Sequence, residues 1–236
     1  MRNRKTIAVL GATGMVGRRV VREAGLRGHR ALALSRKPAD EDRHVTPLAV
    51  DASDAHAVHT ALAGSAADAV VLTLRTHPAD QEFLVGATCT VLDAGARLGI
   101  RVLVVGGAGA LRSTGDQELL VADDPVHVPA PWRSVAAAGV AQLRTCRSHA
   151  GADWVYLSPP ALLEPGERTG RYRRGTDRLL VAADGRSWIS AEDLAVAVVD
   201  ELETPGPERH ITVVHGDGRP PVPAGHRSGA TRAPRR

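Results

Sequence analysis

Short apolar runs alternate along the chain with longer segments whose apolar residues recur at helical spacing, and glycine or proline marks most junctions. Residues 7–10 form an unbroken apolar run that stops at Gly11, as a buried strand does. Residues 15–26 are compatible with a helix, and Gly28 stands where a terminating glycine is expected. Further strands are expected at 31–34, 46–50, 69–74 and 101–105. A short helix is expected at 54–62, with Ser53 as its cap, and a long proline-free one at 80–98, closed by Gly99. Strands that alternate with helices predict right-handed crossovers and a parallel sheet, an α/β fold.

The second half is less regular. Residues 111–131 are polar and contain prolines, and read as a long loop over a site. A helix is expected at 134–149 and a strand at 154–157, closed by Ser158, Pro159 and Pro160. Residues 164–178 are charged and glycine-rich and read as another loop. Two short strands, 179–182 and 188–189, would flank an Asp184-Gly185 turn. Ser190 with Glu192 and Asp193 behind it has the pattern of a helix start, a hydroxyl cap and acids in the first turn. A last strand is expected at 210–214. The chain then turns rich in Pro, Gly and Arg and reads as disordered. This predicts one domain over residues 1–216 and a basic tail over 217–236.

Composition narrows the class. Hydrophobic residues make up 43% of the 236 and aromatics only 3%, so Val, Leu, Ile and Ala must build the core. The formal charge is +4, but residues 218–236 carry five arginines and no acid, which leaves the rest near neutrality. No nucleic-acid groove is suggested. Cys89 and Cys146 fall in separate helical segments and give neither a disulfide framework nor a zinc spacing. They suit a reducing cytoplasm. No run reaches the roughly 20 apolar residues that span a bilayer. The apolar run near the N-terminus is interrupted by Gly11, Gly14 and Gly17, unlike a signal peptide. A cytoplasmic monomer or homodimer acting on a small molecule is the expectation.

The chemistry is concentrated in the first turn. Gly11-Ala12-Thr13-Gly14-Met15-Val16-Gly17 places three glycines at a spacing of three between a strand and a helix. That arrangement brings backbone N–H groups and a helix N-terminus up to a phosphate. A plain tight turn is the alternative, and the alternating α/β context favours dinucleotide binding. The end of the second strand selects the nucleotide. A chain that binds NAD carries Asp or Glu about 20 residues on, for the ribose 2′-hydroxyl. Here Ser35, Arg36 and Lys37 hold that place. A carboxylate would repel a 2′-phosphate, whereas a hydroxyl and two cations bind it through charge-assisted hydrogen bonds. NADP(H) is therefore favoured over NAD(H). Asp51 and Ala52 end the third strand where an adenine would be contacted, and Asp51 suits a helix cap equally well.

The glycine turn, the Ser35-Arg36 pair and Val105-Gly106-Gly107-Ala108-Gly109 together resemble the atypical short-chain dehydrogenase/reductase superfamily. The nearest branch is that of small NAD(P)H-binding proteins similar to biliverdin reductase B and NmrA-like proteins. The resemblance spans residues 6–214. It implies a Rossmann-like, doubly wound parallel sheet in a single domain with a small irregular substrate side. It also implies a cofactor lying across the carboxyl ends of the strands. Leu74 and Arg75 would border it after the fourth strand, Gly107 and Ala108 after the fifth, and Ser158, Pro159 and Pro160 after the sixth.

One departure bears on activity. Typical members use Tyr-x-x-x-Lys, in which the lysine lowers the tyrosine pKa and holds the ribose. This chain has two lysines, Lys5 and Lys37, while Pro160 stands four residues after Tyr156 and Thr176 four after Tyr172. The dyad does not exist, and Trp132 and Arg133 open the helix that would carry it. Alcohol–ketone chemistry, which needs a positioned proton donor, is weakened. Hydride delivery to a flavin, quinone or similar conjugated acceptor stays open, because such an acceptor takes its proton from water. An NADPH-dependent oxidoreductase of that kind is the expected function. The alternatives are a non-catalytic NADP(H)-binding sensor and an epimerase- or dehydratase-like enzyme. Ser113, Thr114, Asp116 and His127 after the fifth strand, and Arg75 and His77 after the fourth, are the polar groups on offer. Each taken singly reads first as solvated loop. His56 and His59, with no third ligand nearby in sequence, read as a solvated face rather than a metal site.

Overall fold

The computed structural model describes residues 4–38, 45–116 and 118–216, so the expected tail over 217–236 lies outside the described residues. The first half runs β1 (Thr6–Leu10), α1 (Gly17–Leu26), β2 (Arg30–Ser35), β3 (Val45–Ala49), α2 (Ala55–Ser65), β4 (Ala69–Leu72), α3 (Gln81–Leu98) and β5 (Arg101–Val105). The second half adds α4 (Arg133–Ser148), β6 (Trp154–Ser158), β7 (Leu162–Glu164), β8 (Tyr172–Gly175), β9 (Trp188–Ser190), α5 (Ala191–Glu203) and β10 (His210–His215). Eight strands form one sheet in the order β3-β2-β1-β4-β5-β6-β10-β8, and β10 with β8 is its antiparallel pair. Pro47, which cannot donate to a ladder, sits on the edge strand β3.

Both faces of the sheet are covered. Ile7 and Val9 pack with Val20 and Ala24 of α1 and Leu194 and Val198 of α5. Ala8 and Leu10 point the other way, toward Val58 and Leu62 of α2, Val91 of α3 and Leu143 of α4. Strands buried on both faces read as continuous apolar runs rather than alternations, which is why β1, β4 and β5 stand out in the sequence. The result is a Rossmann-like, doubly wound sheet. The chain leaves β1 toward β2 and β3, then returns to β4 on the far side of β1 and goes on to β5 and β6. The carboxyl ends of β1 and β4 therefore flank the crevice where the winding reverses, the place a ligand takes in such sheets.

Several local expectations need correction. The cap of α2 is Asp54, which accepts from Ala57 N, rather than Ser53. Asp51 does not cap the helix either: its carboxylate accepts from Ser53 N at 2.9 Å and from Ser53 Oγ at 2.7 Å, in a turn ahead of the helix. Strand β4 stops at Leu72, two residues short of the expected end. The expected loop at 164–178 contains β8, which completes the sheet beside β10. Two of its four residues are arginines, so it lacks an apolar run. The expected strand at 179–182 is absent. Leu179 instead packs with Leu111, Val121 and Val128 in a small separate core beneath the 111–131 segment. Residues 182–186 form the expected turn, with Gly185 at φ 81°, but β9 beyond it pairs in parallel with β7.

Strands β6 and β10 enclose a buried polar pair, Ser158 Oγ and His210 Nε2, 3.0 Å apart. Burial pushes the His210 imidazole down, to about 4; Arg147 acts in the same direction and Asp177 opposes it. Between about pH 6.5 and 4 the unfolded chain therefore binds a proton that the folded chain does not, so stability is lost as the pH falls through that window. The loss attributable to this group is at most about 3 kcal/mol. Urea denaturation at pH 7 and at pH 4.5 measures it. His210→Gln should remove most of the difference, and an equal acid loss in the variant would reject His210 as its source.

Candidate functional site

The turn after β1 is set by backbone contact. Gly11 has φ 92°, and Gly11 N and Ala12 N donate to Leu34 O of β2 at 3.0 and 3.2 Å. Gly14 N donates to Gly11 O at 3.0 Å. A Cβ on Gly11 would lie 2.9 Å from Thr73 O, and one on Gly17 would lie 2.2 Å from Gly11 O. The glycines thus let the end of β1, the first turn of α1 and the residue after β4 meet through their main chains. Ala12 is buried, Thr13 and Gly14 are exposed, and Met15 and Val16 are half-buried. Helix α1 opens without a side-chain cap and without an acid in its first turn. An open helix start offers N–H groups and the positive end of the helix dipole to an anion.

Two residues that sequence reasoning missed support this turn. Thr73 Oγ1 lies 3.2 Å from both Leu10 O and Gly11 O. Arg19 gives Nη1 to Met15 O at 2.8 Å and Nε to Glu192 of α5 at 2.5 Å. A lone threonine past a strand end and a helical arginine carry no local signal. Their roles exist only once β4 lies beside β1 and α5 beside α1.

At the end of β2, Ser35 is buried and its hydroxyl has no hydrogen-bond partner among the described residues. Arg36 and Lys37 are exposed. Arg36 and Arg75, with Thr76 and His77, line one open cavity of about 630 Å³. Asp51 is close to Arg36. Its carboxyl is held below the usual range mainly by the Ser53 N–H and hydroxyl, with Arg36 adding a smaller pull. Ala52 is buried in the core, and the Leu74 side chain lies against Gly11. The crevice thus brings the glycine turn, Leu74, Arg75, Ser35, Arg36 and Asp51 to one end.

Beyond β5 the picture is mixed. Gly107 faces open space, since nothing lies within 4 Å of where its Cβ would be. Ala108 starts a 3-10 turn and packs on the small core under the loop. Trp132 is half-exposed at the start of α4, and the Arg75 guanidinium lies 5.6 Å above its ring. Ser158 is fully buried with its hydroxyl on His210, and Pro159 and Pro160 are buried too, so this trio offers the crevice no free hydroxyl. Tyr156 is entirely buried, which pushes its phenol up. Tyr172 donates to Asp200 at 2.7 Å and is pushed up by burial and by that carboxylate. Neither is a proton donor at the crevice. The loop groups bond among themselves, Ser113 to Asp124 and Thr114 to His127.

Residues 11–205, from the first glycine of the turn to just past α5, match the NAD(P)H-binding family. The chain is 33% identical to the uncharacterized protein YwnB of Bacillus subtilis, over 84% of this chain and 92% of the relative. Among solved structures it is similar to a candidate exported protein of Burkholderia pseudomallei, with 37% identity, a TM-score of 0.79 and 89% and 100% of the two chains covered. It is also similar to a candidate NADH-flavin reductase of Streptococcus pneumoniae, with 26% identity, a TM-score of 0.76 and 89% and 99% covered. The motifs, the fold and these matches agree: the chain belongs to the NAD(P)H-binding family, within the atypical short-chain dehydrogenase/reductases.

Proposed function

We propose that the protein is a reductase that takes hydride from NADPH and passes it to a small conjugated acceptor, a flavin or a quinone. The observation that carries this reading is the glycine turn packed beneath the uncapped start of α1, at the crevice between β1 and β4. A cofactor diphosphate fits the backbone N–H groups of the turn other than those of Gly11, Ala12 and Gly14, which bond within the protein. A 2′-phosphate fits the Ser35 hydroxyl, which has no partner among the described residues, and the guanidinium of Arg36, with Arg75 on the same cavity and Lys37 adding charge. Ala52, Asp51 and Leu74 border the adenosine in this reading; Gly107, Ala108 and the 158–160 segment border the nicotinamide end. Bound there, the cofactor supplies a hydride from its nicotinamide ring.

What the chain's own groups leave out favours the acceptor class. Tyr156 and Tyr172 are committed elsewhere, and no tyrosine–lysine pair lies at the crevice among the described residues. An acceptor that collects its proton from water suits such a site. The name of the Streptococcus pneumoniae relative points the same way. The missing proton donor also favours a second reading, a sensor that binds NADP(H) without turnover. Two free cysteines, one of them buried, suit the reducing cytoplasm as the location, and among the described residues no helix is long and apolar enough to cross a membrane.

Purified protein mixed with NADPH and a panel of FMN, FAD, riboflavin and quinones tests the proposal. The expected result is acceptor-dependent loss of the reduced-nicotinamide absorbance. Tight NADPH binding with no turnover on any acceptor would move the assignment to the sensor.

A further inference from the structure

The Tyr156 hydroxyl cannot act on a substrate, yet it ends directly beneath the crevice. It donates to Gly139 O of α4 at 2.9 Å and accepts from Gly107 N–H at 3.4 Å. Gln142, one turn further along α4, brings Oε1 to 3.5 Å from the same hydroxyl. Gln142 Nε2 donates to Thr88 Oγ1 of α3 at 3.1 Å, and the Thr88 hydroxyl donates to Leu84 O at 2.7 Å. Tyr156, Gln142 and Thr88 are all buried. The hydroxyl has one proton and gives it to Gly139 O, so the relay runs from Gly107 N–H through Tyr156 to α4, and Gln142 Oε1 stands beside it at the limit of hydrogen-bond range.

Gly106 makes room for it. A Cβ there would lie 1.8 Å from the Tyr156 hydroxyl oxygen, whereas one on Gly139 would lie at ordinary contact, 3.6 Å from Gly107 N. Phenylalanine would fill the same apolar volume at position 156 without the desolvation cost of a buried hydroxyl. What the hydroxyl adds is an acceptor for one backbone N–H, that of the residue facing open space at the end of β5.

We propose that Tyr156 is a positioning residue: its hydroxyl, anchored on Gly139 O of α4, holds the Gly106–Gly107 peptide at the height on which the nicotinamide half of the cofactor rests. This inference rests on the reading of the crevice as an NADP(H) site. The relay touches only one half of that site. The glycine turn and the Ser35–Arg36 end are built from other residues.

That asymmetry supplies the test. NADPH and adenosine 2′,5′-bisphosphate, which lacks the nicotinamide half, are titrated against wild type and Tyr156→Phe, and exchange of the Gly107 amide is followed by NMR. Loss of one neutral hydrogen bond to the floor of the site should raise the NADPH Kd about fivefold. The bisphosphate Kd should not move, and the Gly107 amide should exchange faster. A purely structural role would weaken both ligands alike or neither, and either result overturns the proposal. If wild type binds neither ligand, the cofactor reading fails and the proposal with it. If wild type binds both and Tyr156→Phe binds both unchanged, the proposal alone fails. Should Tyr156→Phe not fold, Thr88→Val removes the hydrogen bond that orients Gln142 beside the Tyr156 hydroxyl and is expected to give a smaller rise for NADPH alone.

Discussion

Gly17→Ala is expected to lower NADPH affinity roughly a hundredfold, equivalent to about 2.7 kcal/mol of lost backbone–phosphate hydrogen bonding. The new Cβ would lie 2.2 Å from Gly11 O, 2.8 Å from Gly11 C and 2.8 Å from Thr73 Oγ1. Two of these are main-chain atoms and cannot swing aside. Gly11 is held by its N–H to Leu34 O, and α1 is held by Val20 and Ala24 in the core. Either the turn or the helix must shift, and with it the N–H groups offered to the diphosphate. Overpacking of this kind should also destabilise the fold by about 3 kcal/mol. Gly86→Ala is the matched control. Gly86 lies in α3 with nothing within 4 Å of its Cβ position, so alanine there should gain up to about 1 kcal/mol of helix propensity and leave the NADPH Kd unchanged. Thermal denaturation and calorimetric titration of the three proteins read both effects. Wild-type affinity in Gly17→Ala would remove the turn as the phosphate site.

Arg36→Asp should weaken NADPH roughly fiftyfold while leaving NADH unchanged or tighter. The variant deletes a charge-assisted hydrogen bond and sets a carboxylate against the 2′-phosphate, and at this exposed position each costs about 1 kcal/mol. Asp51 already lies near this position, so the reversal would put two carboxylates beside the phosphate. Arg75, which lines the same cavity, remains and keeps the loss short of complete. Parallel titrations with the two nucleotides give the ratio of affinities. An unchanged ratio would show that the 2′-phosphate is held elsewhere or that the protein does not discriminate.

The glycine turn and the end of β2 could be singled out early because each is a run of neighbouring residues. The spacing of Gly11, Gly14 and Gly17, and Ser35 followed by Arg36, are local patterns that need no knowledge of distant neighbours. The helix ends were partly legible for the same reason: Ser190 and Gly99 perform as their positions suggested, whereas Asp54 took the cap of α2 from Ser53. The rest of the crevice was not legible. Strand β8 exists because β10 offers it an edge, and the 111–131 segment is held by Leu179, a residue far along the chain. Nothing within either segment announces such a partner.

The sequence by itself determined the α/β class, the strand that begins the sheet, and the turn that follows it. Unbroken apolar runs, glycine spacing and residue order are properties of neighbours in the chain, and the forces they reflect act over a few residues. It also determined that a Tyr-x-x-x-Lys dyad is absent, since that needs only a count. The tertiary structure alone decided which hydroxyls are free and which are committed. Ser35 has no partner among the described residues, Ser158 is bound to His210, and Tyr156 sits under Gly107. Those outcomes depend on strands and helices far apart in sequence being brought within about 3.5 Å, and a hydrogen bond is lost beyond that distance.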